Sequence, residues 1–221
     1  MKADAQNKKI LVLTGGMINL IWARQWLANE QFDYVIAADK GLLYADELNY
    51  KVDYILGDFD SVDSRLLEKY KALNVELVTS PCEKDYTDTH LAIETAIEKG
   101  AGQITILGAT GSRMDHMMSN IQNMKMTLDL NISCCIVDEY NKVYLANKVV
   151  TIKKSEQFGT YISLIPFSES VTGLTLSGFH YPLNKYTLNQ GLSVGISNEI
   201  EEEKGRIEFD EGILIIFETK D

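Results

Sequence analysis

Apolar and β-branched residues fall along the first two thirds of the chain in short continuous runs at residues 10–13, 34–38, 54–56, 75–79, 104–107 and 132–137. Between them lie stretches with helical spacing, at about 18–29, 64–73, 88–99 and 115–128. In the third stretch Ala92, Ile93, Ala96 and Ile97 share one face, and Gly100 follows where a helix would stop. Runs that are apolar at successive positions suit strands buried on both faces, the condition of a parallel sheet covered by helices. From about residue 148 the rhythm changes to strands and turns, at 149–153, 161–167, 174–176, 206–209 and 213–218. The pattern predicts an α/β protein: an N-terminal parallel-sheet, Rossmann-like domain (1–146), then a smaller all-β domain (147–221) of sandwich or barrel type.

Composition narrows the function classes. The 221 residues carry 21 Lys+Arg against 32 Asp+Glu, a formal net charge of −11, with 45% apolar residues. That balance predicts a folded chain that neither follows a nucleic-acid backbone nor lies on an anionic membrane. No apolar stretch approaches the roughly twenty residues of a membrane helix. Cys134 and Cys135 sit in an apolar run and Cys82 stands apart, so neither a disulfide framework nor a Cys-x-x-Cys metal site is expected, and the expected compartment is the cytoplasm.

In an open parallel sheet, ligands bind beyond the carboxyl ends of the strands. The residues there are uniform in character: Thr14-Gly15-Gly16, Asp39-Lys40-Gly41, Gly57-Asp58-Phe59-Asp60-Ser61, the stretch from Ser80 to Asp88 that holds Lys84 and Asp85, and the stretch from Gly108 to His116. Each acid alone has a structural explanation as a turn or helix cap. Several carboxylates converging on one crevice repel one another unless a cation neutralises them, and an all-oxygen set suits Mg²⁺ rather than Zn²⁺. Glycine turns at helix starts let backbone N–H groups approach an anion, although neither a P-loop nor a GxGxxG motif is present. Lys84 and Arg113 are candidate cations for phosphate oxygens. Together these features point to group transfer from a nucleotide polyphosphate.

His90 and His116 stand beside helix starts, where polar capping residues are common. Met114, Met117, Met118, Met124 and Met126 are expected in core or interface packing, and Trp22 and Trp26, four apart, on one helix face.

The motifs Asp39-Lys-Gly-Leu42, Gly57-Asp-Phe-Asp-Ser61, Pro81-Cys-Glu-Lys-Asp-Tyr-Thr-Asp88 and Gly108-Ala-Thr-Gly-Ser-Arg-Met-Asp-His116 resemble those of the thiamine pyrophosphokinase family, bacterial type. The resemblance continues in Tyr181-Pro-Leu183 and Gly195-Ile-Ser-Asn-Glu199. It implies transfer of a diphosphate from ATP to the hydroxyl of thiamine, giving thiamine diphosphate and AMP with Mg²⁺. It also implies a homodimer in which each active site is shared between subunits. By motif, Asp39, Asp58, Asp60, Asp85 and Asp88 are the catalytic carboxylates, with Asp58, Asp60 and Asp88 on the metal. Gly15, Gly16, Lys84, Thr110, Gly111 and Arg113 face ATP, while Asp115, Ser197 and Asn198 face thiamine. Residues 1–146 then form the catalytic domain and 147–221 the thiamine-binding and dimerisation domain. Ser112 stands where the family often has a second glycine, and Glu199 where animal members have tryptophan. The rival readings are a DxD-type Mg²⁺-dependent phosphohydrolase or nucleotide-sugar transferase, and a non-catalytic nucleotide-binding module.

Overall fold

The computed structural model describes residues 7–59, 63–79 and 85–221. Asp60, Cys82 and Lys84 therefore lie outside the described residues. The chain divides into two units between Glu139 and Tyr140.

The first unit begins β1 (Lys8–Leu13), α1 (Leu20–Leu27), β2 (Tyr34–Ala38), α2 (Gly41–Leu48), β3 (Tyr54–Gly57), α3 (Ser64–Ala72) and β4 (Glu76–Thr79). It continues α4 (Asp88–Glu98), β5 (Ala101–Leu107), α5 (Met114–Asn123), α6 (Lys125–Asp129) and β6 (Ser133–Val137). The strands are parallel and ordered β6-β5-β1-β2-β3-β4. The chain winds outward from β1 through β2, β3 and β4, then returns to lay β5 on the other side of β1. That reversal is the topological switch point at which open sheets of this kind bind ligands. Ile10 to Leu13, Ile36, Ala37, Ile55, Ile104, Ile106 and Leu107 are buried, as continuous apolar runs require.

The helices follow from local chemistry. α4 is capped by the Thr87 hydroxyl, which accepts from the His90 N–H at 3.2 Å, and buries Ala92, Ile93 and Ala96. Asn19 caps α1 by accepting from the N–H groups of Ile21 and Trp22, and Trp22 stacks on Trp26 at 5.8 Å. The stretch expected as one helix at 115–128 is two, α5 and α6, meeting at Met124, which is buried. Met114 and Met118 are exposed, contrary to core packing. α2 was not expected: it starts at Gly41 after Lys40, which makes no side-chain cap, so no start signal marks it.

The second unit consists of β7 (Asn141–Ala146), β8 (Val150–Lys153), β9 (Tyr161–Pro166), β10 (Ser170–Ser177), β11 (Leu183–Asn189), β12 (Asn198–Glu199), β13 (Lys204–Glu208) and β14 (Leu214–Thr219). All its pairings are antiparallel, in the orders β12-β9-β14-β7 and β11-β10-β13-β8. Its core includes Ile162, Leu164, Val171, Leu174, Leu188, Ile207, Leu214 and Ile216. β7 was not among the expected strands, and the domain boundary expected at 146 falls at its far end.

Glu218 on β14 is only 2% exposed yet charged by type; it accepts from Lys142 Nζ at 3.2 Å and from the Phe158 N–H at 2.8 Å. Glu218→Ala strands that N–H and is expected to cost about 2–3 kcal/mol. Thermal unfolding followed by circular dichroism checks this, at about 2–4 °C per kcal/mol; an unchanged Tm would contradict it.

Candidate functional site

The turns after β1 and β5 are joined by backbone hydrogen bonds: Thr14 N–H to Leu107 O (2.9 Å), Gly16 N–H to Gly108 O (2.7 Å) and Met17 N–H to Thr110 O (2.8 Å). The approach is so close that a Cβ at Gly16 would sit 2.2 Å from Thr110 O and 2.3 Å from Gly108 O. Gly108 has φ +76°, and a Cβ there would lie 2.3 Å from Thr14 O. These glycines thus let two strand-end turns merge into one floor. The Tyr44 hydroxyl, from α2, donates to Gly16 O at 2.7 Å. The hydroxyls of Thr14 and Thr89 share a buried hydrogen bond of 2.8 Å, which ties the start of α4 to the end of β1. Asn120 of α5 donates to Ala109 O at 2.9 Å from a buried position.

Above this floor is a cavity of about 580 Å³, within the range of small-molecule sites. Thr14 to Met17, Asp39, Lys40 and Tyr44 line one part; Thr87 to Thr89, Gly108 to Arg113, His116 and Asn120 line the rest. It lies at the carboxyl ends of β1, β2 and β5, across the switch point. Asp39 has φ +48°, a left-handed conformation that aspartate adopts more readily than most residues, and donates its N–H to Leu56 O at 2.9 Å.

Of the carboxylates expected at the site, the cavity lining takes in Asp39 and Asp88. Asp58 follows β3, the neighbour of β2, partly exposed, and Asp85 is exposed; neither is in the lining. Among the described residues no group of three or more His, Cys, Asp or Glu is arranged to hold a metal ion. Mg²⁺ does not require one, because it is held by one or two carboxylates with substrate phosphates and waters, and the acids here offer only oxygen. The residues present fit it.

Gly15, Gly16, Thr110, Gly111 and Arg113 all line the cavity, together with Lys40, a cation the motif reading passed over. Arg113 is also engaged with Asp115: its Nε and Nη2 donate to the two carboxylate oxygens at 3.2 and 2.6 Å, both side chains exposed. These hydrogen bonds from Arg113 hold the Asp115 carboxyl down to about 2. His116 lines the cavity, whereas His90 stacks on Tyr86 at 4.4 Å. Tyr44, Thr89 and Asn120 were missed because helix-borne residues give no local signal; their spacing reads as packing.

In the second unit, Leu176, Tyr181, Leu183, Val194, Gly195, Ile196 and Asn198 line a cavity of about 300 Å³. Asn198 grips the Tyr181 backbone: its Oδ1 accepts from the Tyr181 N–H at 2.9 Å and its Nδ2 donates to the carbonyl at 2.8 Å. Ser197 adopts φ +54° and donates its N–H to Ser163 Oγ at 2.9 Å. Both expected residues are thus at this cavity's edge or beside it. Cys134 is buried, and burial pushes its thiol pKa up, which removes it as a nucleophile.

Two family models match: thiamin pyrophosphokinase, catalytic domain, over residues 26–136, and thiamin pyrophosphokinase, vitamin B1 binding domain, over residues 148–214. The thiamine pyrophosphokinase of Bacillus subtilis is 34% identical over 214 residues, 97% of this chain and 100% of that one. The crystal structure of thiamine pyrophosphokinase from Bacillus subtilis superposes with a TM-score of 0.87 at 33% identity, covering 97% of this chain and 100% of that one. That of thiamin pyrophosphokinase from Geobacillus thermodenitrificans gives 0.83 at 29% identity, covering 96% and 98%.

Proposed function

Because the chain belongs to the thiamine pyrophosphokinase family, we propose that it transfers a diphosphate from ATP to the hydroxyl of thiamine, yielding thiamine diphosphate and AMP. The observation that carries the placement is the cavity at the switch point, where merged glycine turns, Lys40, Asp39 and Asp88 meet. Neither the family models nor the relatives support a phosphohydrolase, a nucleotide-sugar transferase or a non-catalytic module.

In this reading Gly15 and Gly111 offer backbone N–H groups to ATP on the floor that the bond from the Gly16 N–H to Gly108 O closes, and Arg113 and Lys40 add positive charge. Lys84, Asp58 and Asp60 are assigned by motif alone. Of Asp58, Asp60 and Asp88, the carboxylates that the motifs assign to Mg²⁺, Asp88 lines the cavity; the ion when bound would neutralise charge on the phosphates. The remaining work of the protein is positioning: reactants fixed in line need less reorganisation to react. The thiamine hydroxyl must lose a proton, and Asp39, which lines the cavity where Asp85 does not, is favoured as its acceptor.

Asp115, Ser197 and Asn198 are assigned to thiamine, with the site shared between two copies of the chain. Support for a homodimer is the apolar surface of the second unit, where Tyr181, Leu192, Val194 and Ile196 are exposed, and that of the first, where Ile21, Met114 and Met118 are exposed. A cytoplasmic location is proposed on Cys134 and Cys135, neither of which is in a disulfide; no helix among the described residues is long and apolar enough to cross a membrane.

Asp115→Ala is expected to raise the KM for thiamine about tenfold or more, the worth of a hydrogen bond to a charged group, with a much smaller rise for ATP. An equal rise for both would place Asp115 with Arg113 at the nucleotide instead. The function itself is tested by mass detection of thiamine diphosphate after incubation with thiamine, ATP and Mg²⁺, with a metal-free control. Formation of ADP or free phosphate in place of AMP would overturn it.

A further inference from the structure

Strand β6 ends beside β5 and delivers two successive acids, Asp138 and Glu139, to the same edge of the sheet as the cavity. The Thr110 hydroxyl donates to Asp138 Oδ2 at 2.8 Å. Glu139 Oε2 accepts from Asn19 Nδ2 at 2.7 Å, so the other acid steadies the cap of α1. Neither acid belongs to the motifs that carry the family resemblance.

A hydroxyl has one proton and a carboxylate only accepts, so the proton of Thr110, a residue of the cavity lining, is committed to Asp138 and its oxygen is left as an acceptor. A phosphate oxygen, itself an acceptor, is a poor partner for that oxygen, and two carboxylates behind it repel a polyanion. A sugar hydroxyl, which can donate, is a good one. Lys40 and Asp39 stand after β2, with β1 between them and β5, so about 10 Å of sheet edge separates the two ends. Resting on the reading of this cavity as the ATP site, we infer that Thr110 contacts a ribose hydroxyl of the nucleotide, and that Asp138 is the positioning residue that makes Thr110 an acceptor. The nucleoside then lies toward β6 and the polyphosphate toward β2.

Calorimetric binding of ATP, 2′-deoxy-ATP, 3′-deoxy-ATP and inorganic tripolyphosphate to the full chain with Mg²⁺ tests this. The unsubstituted protein is expected to bind one of the two deoxy analogues about threefold to tenfold more weakly than ATP, the range of a single neutral hydrogen bond. Thr110→Val abolishes that preference and leaves tripolyphosphate affinity unchanged; Asp138→Ala, which frees the Thr110 proton to turn elsewhere, weakens it, while Asp138→Asn, whose amide oxygen still accepts, preserves it. Thr110→Val carries the test if Asp138→Ala fails to fold. No deoxy preference in the unsubstituted protein, a preference that survives Thr110→Val, or a parallel loss of tripolyphosphate affinity would overturn the inference. Binding needs no turnover, so a failure to make thiamine diphosphate would count against the proposed reaction alone.

Discussion

Gly16→Ala is expected to lower kcat/KM by about 10²-fold or more, because a small displacement of the floor misplaces everything that rests on it. The added Cβ would stand 2.2 and 2.3 Å from two carbonyl oxygens, more than 1 Å inside ordinary contact at roughly 3.5 Å. Neither oxygen can withdraw cheaply. Gly108 O accepts from Gly16 and Thr110 O from Met17, so relief means parting the β1 and β5 turns and losing both bonds. The Tyr44 hydroxyl, which donates to Gly16 O, would shift with them. ATP affinity should fall with activity, as measured by calorimetry alongside steady-state kinetics. Tight ATP binding with full turnover in this variant would show that the merged turns are not the nucleotide floor.

Asp88→Asn is expected to reduce kcat by about 10²–10³-fold, the scale seen when one group that stabilises developing charge is removed. The substitution keeps shape and removes charge. Asp88 is the first residue of α4, whose cap is supplied by the Thr87 hydroxyl, so helix formation does not depend on the carboxylate. An acid in the first turn of a helix contributes about 0.3–1 kcal/mol through the helix dipole, so Tm should change little while activity collapses. Steady-state kinetics and thermal unfolding on one preparation separate the two effects. Near-normal kcat would remove Asp88 from the site, and a collapse of Tm would make its role structural.

Much of this site was legible because its chemistry sits at strand ends, where sequence order and spatial order coincide. Once residues 10–13, 34–38 and 104–107 are strands, Gly15, Gly16, Asp39, Thr110, Gly111 and Arg113 must share one edge, and the cavity lining includes them all. α4 was equally plain, since Thr87 caps it and Ala92, Ile93 and Ala96 face inward. α2 was not, because Lys40 and Gly41 give no cap and eight residues show little period. β11 was hidden by its polar alternation and by Lys185, which adopts φ +47°. Proximity of strand ends also did not settle which acids meet: Asp39 and Asp88 do, while Asp115 is taken by Arg113, a pairing two residues apart that motif spacing does not specify.

In the proposed reaction one diphosphate unit moves intact from ATP to thiamine. This is tested most directly with ATP labelled at its β-phosphorus, thiamine and Mg²⁺, following the label into products. The label is expected in thiamine diphosphate, with unlabelled AMP formed in equal amount. Label retained in ADP, or thiamine carrying a single unlabelled phosphate, would contradict it.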